Sequence, residues 1–172
     1  MLTGDHKVFL FLQGPHGPFF QRLARMVRHS GADVWRGGFN AGDRLFWQDR
    51  DRYVAYRGDA QGWPDFFKTL IVEKRVTDIV LYGDVRPIHA QAIAYAKELD
   101  LTIHVFEEGY MRPYWVTYER DGSNGHSKLM RMSVDDMRHA LENSDMATAL
   151  PPASWGAMRQ HIWYGALYHG AV

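Results

Sequence analysis

Two adjacent carboxylates, an aromatic and an arginine lie together in the run VFEEGYMRP at residues 105–113. The apolar start of this run is typical of a buried strand, and ligands of open α/β sheets bind beyond the carboxyl ends of strands. Neighbouring side chains of a strand point to opposite sides, so one glutamate can face a ligand while the other pairs with an arginine or a helix amide. Glu107 and Glu108 could therefore support acid/base or nucleophilic chemistry at a glycosidic centre. The alternative is one ion pair and one exposed glutamate.

Three other strand-like runs also break into polar residues. Gln13 and Gly14 follow residues 8–12, Asn40 and Asp43 follow residues 32–39, and Asp84, Arg86 and His89 follow residues 78–82. Glycine there permits close approach of a ligand to the backbone, and a helix that follows can present its amides to an anion. Each run also has a simpler interpretation: a βα turn, an Asx turn, or a helix cap by Asp84 beside a solvated Arg86.

The hydrophobic pattern alternates strands with amphipathic helices. We expect strands at 8–12, 32–39, 53–56, 78–82 and 101–106, and helices from Phe19, over 63–74 and over 87–99, with a turn at 40–43 and an irregular stretch at 44–58. This order predicts an α/β fold with a Rossmann-like parallel sheet and helices on both faces. Right-handed crossovers would place the polar strand ends on one edge of the sheet.

Beyond residue 125 the sequence changes character. We expect a Rossmann-like domain over 1–125 and a helical extension over 126–172, with a further strand at 115–119. A short helix is predicted at 133–141, with Ser133 as its N-cap and Asp136 completing a capping box. The segment 154–172 predicts an aromatic helix that must pack on something. Either it folds back on the sheet, or the chain continues into a second domain.

Composition excludes several classes of protein. Lys plus Arg equal Asp plus Glu at 20 each, which argues against a general nucleic-acid binder, and the absence of cysteine excludes disulfides and thiolate sites. The nine histidines show no ligand-like pairing, so no metal is expected, and the DxD at residues 49–51 is interpreted as a solvated turn. No segment predicts a signal peptide or a spanning helix. We therefore expect a cytoplasmic protein, with peripheral contact at the inner membrane face open.

Four motifs, in order, resemble the capsule polysaccharide biosynthesis and export family, whose members include bacterial β-Kdo transferases. They are FLQGP with GPFF at 11–20, FNAGD at 39–43, LYGDVRP at 81–87 and VFEEGYMRP at 105–113. The resemblance implies the N-terminal half of a two-domain, GT-B-like glycosyltransferase. It implies a retaining enzyme that transfers β-Kdo from CMP-Kdo to a lipid acceptor, without a cofactor or bound metal, beside possible capsule assembly proteins.

The resemblance also implies roles for particular residues. Glu108 is expected to be the catalytic carboxylate, because related modules carry Asp at the equivalent place, and Glu107 is the reserve candidate. Asp84 and His89 are candidates for acid/base work or acceptor contacts. Arg86 and Arg112 would bind the Kdo carboxylate. The full set of expected substrate-binding residues is Gln13, Gly14, Asn40, Asp43, Arg86, Tyr110 and Arg112.

Two other functions remain open at this point. The chain could be a non-catalytic module that binds a glycolipid or a partner in a capsule assembly complex. A flavodoxin-like regulatory domain is a weaker option, because Asp84 could mimic a phospho-acceptor but the acidic cluster expected near the first strand is absent.

Overall fold

The computed structural model of the protein describes residues 6–109, 115–142, 144 and 158–172. Its centre is a six-stranded sheet with the strand order β3-β2-β1-β4-β5-β6. The strands are β1 (Val8–Phe11), β2 (Asp33–Gly38), β3 (Tyr53–Ala55), β4 (Asp78–Tyr82), β5 (Thr102–Glu108) and β6 (Val116–Arg120). The first five are parallel, and β6 runs antiparallel to β5.

Within the described ranges, six α-helices connect and follow these strands. They are α1 (Phe19–His29), α2 (Ala41–Leu45), α3 (Trp63–Lys74), α4 (Pro87–Glu98), α5 (Val134–Glu142) and α6 (Met158–Gly170). Pro64 and Pro87 lie in the first turns of α3 and α4, where proline costs no helical hydrogen bond. Gly31 follows α1 with φ +92°, as predicted for a left-handed helix end.

Apolar clusters lie on both faces of the sheet, and the predicted α/β architecture is confirmed. One cluster packs α3 and α4 against β1, β4 and β5, and it includes Trp63 and Phe67. The other packs α1 against the opposite face and includes Phe20 and Trp47. The runs at residues 8–11 in β1 and 79–81 in β4 are apolar throughout, as expected for strands with helices over both faces.

The order of the strands reverses between β1 and β4. From β1 the chain passes through α1 to β2, which lies on one side of β1. On its other side β1 pairs with β4, through Phe11 and Val80, and β4 leads on to β5. The connections that leave these two neighbouring strands therefore diverge. Such a switch point opens a crevice at the carboxyl edge of the sheet.

Two local predictions are wrong. The turn expected at residues 40–43 is instead the start of the five-residue helix α2, with Asn40 as its N-cap. The strand expected to end at Phe106 continues through Glu108, because β6 pairs Glu107 with Thr117 and Glu108 with Val116. Pairing with a further strand supplies the hydrogen bonds that the sequence pattern of β5 alone does not reveal.

The C-terminal helices follow the predicted pattern in part. Ser133 and Asp136 form the expected capping box at the start of α5. The helix α6 folds back against α2 and the carboxyl edge of the sheet. The boundary at residue 125 stays a prediction. Among the helices of the described residues, none combines the length and apolarity needed to cross a bilayer.

Leu81 lies in β4 and is fully buried, whereas Val72 on α3 is 71% exposed. We expect Leu81→Ala to lower the free energy of unfolding by about 2–5 kcal/mol, because it leaves a cavity in the core. Val72→Ala should change it by less than about 0.5 kcal/mol. Urea denaturation measures both values, and equal effects of the two variants would contradict this assignment of the core.

Candidate functional site

A cavity of about 540 Å³ opens at the carboxyl edge of the sheet, at the switch point between β1 and β4. Its volume lies within the range of about 300–1,000 Å³ that is common for small-molecule sites. Five of the predicted site residues line it, namely Gln13, Gly14, Asn40, Arg86 and Glu108. The remaining lining residues are Pro15, His16, Tyr82, His161, Tyr168, His169 and Val172.

Gln13 and Arg86 join the two loops that diverge at the switch point. The Arg86 guanidinium donates a hydrogen bond of 2.6 Å to Gln13 Oε1, across a separation of 73 residues in sequence. Arg86 is thus not merely a solvated side chain. The charge-assisted bond fixes the direction of the guanidinium at the rim of the cavity.

A buried ion pair supports the loop after β2. Asp43 Oδ1 lies 2.9 Å from Arg36 Nη2, both side chains are nearly inaccessible, and the second Asp43 oxygen accepts from the Phe39 amide. The Arg36 guanidinium also lies over the rings of Phe20 and Trp47. Asp43 therefore lies beneath the cavity lining and holds Asn40 in place from below.

The two glutamates of β5 separate as the alternation of a strand requires. Glu108 is exposed and lines the cavity, whereas Glu107 is half-buried, with Oε2 against Gly83. Gly83 has φ +74°, and an added Cβ there would lie 3.3 Å from that oxygen. Of the two carboxylates, Glu108 is the one placed to meet a ligand in the cavity.

Asp84 and His89 do not line the cavity. Asp84 Oδ2 accepts hydrogen bonds from the Ser123 amide and from His126 Nδ1, and α4 has no side-chain cap, so the helix-cap interpretation of Asp84 is wrong. His89 is fully buried and its Nδ1 donates to the Gly83 carbonyl oxygen. Burial lowers the pKa of His89 to about 4, opposed by that hydrogen bond. The predicted residues Tyr110 and Arg112 lie outside the described residues.

Sequence reasoning missed the wall of the cavity that comes from distant parts of the chain. His16 Nε2 lies 3.3 Å from His161 Nε2, and the His16 ring is 6.4 Å from that of His169. Burial, followed by the charges of His161 and His169, lowers the pKa of His16, while Glu108 opposes the shift. The spacing of His161, Tyr164 and Tyr168 indicates one helix face, but no sequence signal indicates where that face docks.

Among the described residues that line it, the cavity combines hydrogen-bonding amides with several cationic or ionisable groups and the side-chain carboxylate of Glu108. Arg86 and three histidines stand near Glu108, which suits a ligand that carries both anionic and hydroxyl groups. Within the described ranges, no three His, Cys, Asp or Glu side chains are arranged to hold a metal ion.

Comparison with known proteins agrees with the motifs. The model of the family described as capsule polysaccharide biosynthesis protein matches residues 77–155. The capsule polysaccharide modification protein LipB of Neisseria meningitidis serogroup A is 39% identical over 123 residues, covering 71% of this chain and 29% of LipB. The capsule polysaccharide export protein KpsS of Escherichia coli is 33% identical over 168 residues, covering 95% of this chain and 41% of KpsS.

The chain belongs to the capsule polysaccharide biosynthesis family. This capsule-family chain spans less than half the length of the curated relatives that it matches. Among solved structures, the UDP-GlcNAc 2-epimerase of Methanocaldococcus jannaschii is similar with a TM-score of 0.47 and 12% identity, over 63% of this chain and 33% of the epimerase.

The burial of His89 predicts a pH dependence of stability in this capsule-family chain. Its pKa falls from 6.5 to about 4 on folding. The unfolded chain therefore binds the proton more readily, and stability is lost as the pH falls below the unfolded value. We expect this histidine to lower the free energy of unfolding by on the order of 1 kcal/mol per pH unit between about pH 6.5 and 4.

Chemical denaturation across this pH range measures that slope. The variant His89→Gln removes the titrating group, so its slope should be shallower than that of the wild type, whatever its absolute stability. Equal slopes in the two proteins would show that His89 does not resist protonation in the folded state.

Proposed function

We propose that this chain carries the catalytic carboxylate of a glycosyltransferase of capsule polysaccharide biosynthesis, which transfers Kdo from CMP-Kdo to a lipid acceptor. The observation that carries the proposal is the position of Glu108. It lines a cavity at the switch point together with Arg86, and it lies within the VFEEGYMRP motif, which resembles those of β-Kdo transferases.

The charges around the cavity support an acidic sugar nucleotide as donor. CMP-Kdo carries a phosphodiester and a sugar carboxylate, and each needs a cationic or hydrogen-bonding partner. Arg86 is exposed at the rim and suits bidentate binding of a carboxylate, while His16, His161 and His169 supply further donors in the same cavity. Glu108 is the acidic group on the cavity wall, and it would face the anomeric carbon between these partners.

A retaining transfer gives Glu108 one of two alternative roles. Its carboxylate attacks the anomeric carbon, or stabilises the oxocarbenium-like transition state, as the bond from sugar to phosphate breaks and CMP leaves with the bonding electrons. The acceptor hydroxyl then forms the new glycosidic bond at the anomeric carbon, in place of the bond to the Glu108 carboxylate where that bond has formed, and gives its proton to solvent or a base. No cofactor takes part in this scheme.

The acceptor side of the reaction would lie at a membrane surface. A lipid acceptor requires peripheral contact of the protein with the inner membrane face, from a cytoplasmic location, with capsule assembly proteins as further partners. The chain spans less than half the length of the curated relatives that it matches. In a GT-B arrangement, a second Rossmann-like domain would complete the donor site.

The variant Glu108→Gln tests the catalytic assignment, and Glu107→Gln is its matched control on the opposite side of the same strand. With CMP-Kdo and a glycolipid acceptor, we expect Glu108→Gln to reduce CMP release by about a hundredfold or more, with binding of CMP-Kdo retained. Glu107→Gln should retain most of the activity. The reverse order of the two effects would transfer the catalytic role to Glu107.

The alternative function, a non-catalytic module that binds a glycolipid or a capsule assembly partner, predicts a different pattern. The observation that favours it is the apolar face of α6, where Ile162 and Trp163 are 63% and 65% exposed. Such a module would bind its ligand without releasing CMP, and neither glutamate variant would change that binding. This outcome would overturn the transferase proposal.

A further inference from the structure

The hydroxyl group of Tyr168 lies in a polar cradle, by which we mean Gln13, Asn40 and Asp43 at the carboxyl ends of β1 and β2. Gln13 Nε2 donates to this hydroxyl at 3.2 Å, and Asn40 Nδ2 donates to it at 3.0 Å. The hydroxyl in turn donates to Asp43 Oδ1 at 3.3 Å. Side chains from two segments, one after β1 and one after β2, thus converge on one oxygen atom of α6, which is distant from both in sequence.

The orientation of both amides is determined by their other partners. Gln13 Oε1 accepts from Arg86, and Asn40 Oδ1 accepts from the Asp43 amide at the start of α2. With both carbonyl oxygens engaged, both NH₂ groups face the cradle. Asp43 is 1% exposed and is held by Arg36, so its acceptor oxygen is also fixed.

The cradle offers two donors and one acceptor, which is the complete hydrogen-bonding complement of a hydroxyl group. A phosphate or carboxylate oxygen fits poorly, because it has no proton to donate to Asp43 and would meet the charge of that carboxylate. The cradle therefore differs in chemistry from the Arg86 and histidine side of the same cavity. It selects a neutral hydroxyl.

We propose that Gln13, Asn40 and Asp43 form a binding site for one hydroxyl of a carbohydrate ligand, and that α6 covers this site by placing the Tyr168 hydroxyl in it. The identity of the carbohydrate rests on the proposed function, whereas the hydroxyl chemistry rests on the cradle alone. The ligand hydroxyl and the Tyr168 hydroxyl compete, because one oxygen fills the cradle.

The contacts of α6 suit a helix that can undock from the cradle. Its docked face uses Tyr164 and Tyr168, whose rings pack near Phe46 and against Gly17 and Gly42. Its opposite face leaves Ile162, Trp163 and Leu167 in solvent. Docking therefore buries little of the most apolar surface of the helix. Burial of apolar surface is the usual source of strong packing. The polar contacts of Tyr168 carry a correspondingly large share of the docking free energy.

Tyr168→Phe removes the competing hydroxyl and keeps the ring. Tyr164→Phe is the matched control, because the Tyr164 hydroxyl accepts from Gln160 within α6 and does not reach the cradle. Two measurements apply to the wild type and both variants: amide hydrogen exchange of α6, and calorimetric binding of CMP-Kdo, CMP and free Kdo. Circular dichroism checks that each variant is folded.

We expect Tyr168→Phe to speed exchange of α6 by about tenfold and to tighten binding of at least one sugar-bearing probe several-fold, with Tyr164→Phe near the wild type. Tighter binding of CMP would assign the cradle to a ribose hydroxyl, and tighter binding of Kdo would assign it to the transferred sugar.

Equal amide exchange of α6 in both variants, or weaker probe binding by Tyr168→Phe, would overturn the proposal. Failure of the proposed function would give a different result from failure of the cradle. In that case none of the three probes would bind the wild type or either variant, while faster amide exchange of α6 in Tyr168→Phe would still support the cradle.

Discussion

The reversal of strand order between β1 and β4 is the constraint on which the candidate site depends. It makes the connections on either side of the switch point diverge, and such a divergence opens a crevice at the carboxyl edge of the sheet. The hydrogen bond from Arg86 to Gln13 spans this crevice and sets the separation of its walls. Glu108 reaches the same crevice because pairing with β6 extends β5 beyond its apolar run.

A second constraint is the buried pair of Arg36 and Asp43. Removing one member of such a pair leaves an uncompensated charge in the core, so the two side chains form a single structural unit. That unit ties β2 to the first turn of α2 and so places Asn40 beside Gln13. Chemistry at the cavity surface, including selection of a hydroxyl, thus depends on a buried ion pair.

The strands and long helices could be predicted from the sequence because their apolar patterns are local. The convergence of Gln13, Asn40, Arg86 and Glu108 could be expected as well, since parallel strands end at one edge. The positions of Asp84 and His89 could not, because their partners are a loop 39 residues away and the backbone of Gly83. The contribution of α6 was also hidden, because periodicity gives the faces of a helix but not its docking position.

The most direct test of this account is a crystal structure of the protein with CMP-Kdo. We expect the sugar to lie over the carboxyl ends of β1 and β4, with its anomeric carbon facing Glu108 and its carboxylate against Arg86. Density for the ligand at the opposite edge of the sheet, or beside Asp84 and His89, would contradict the account.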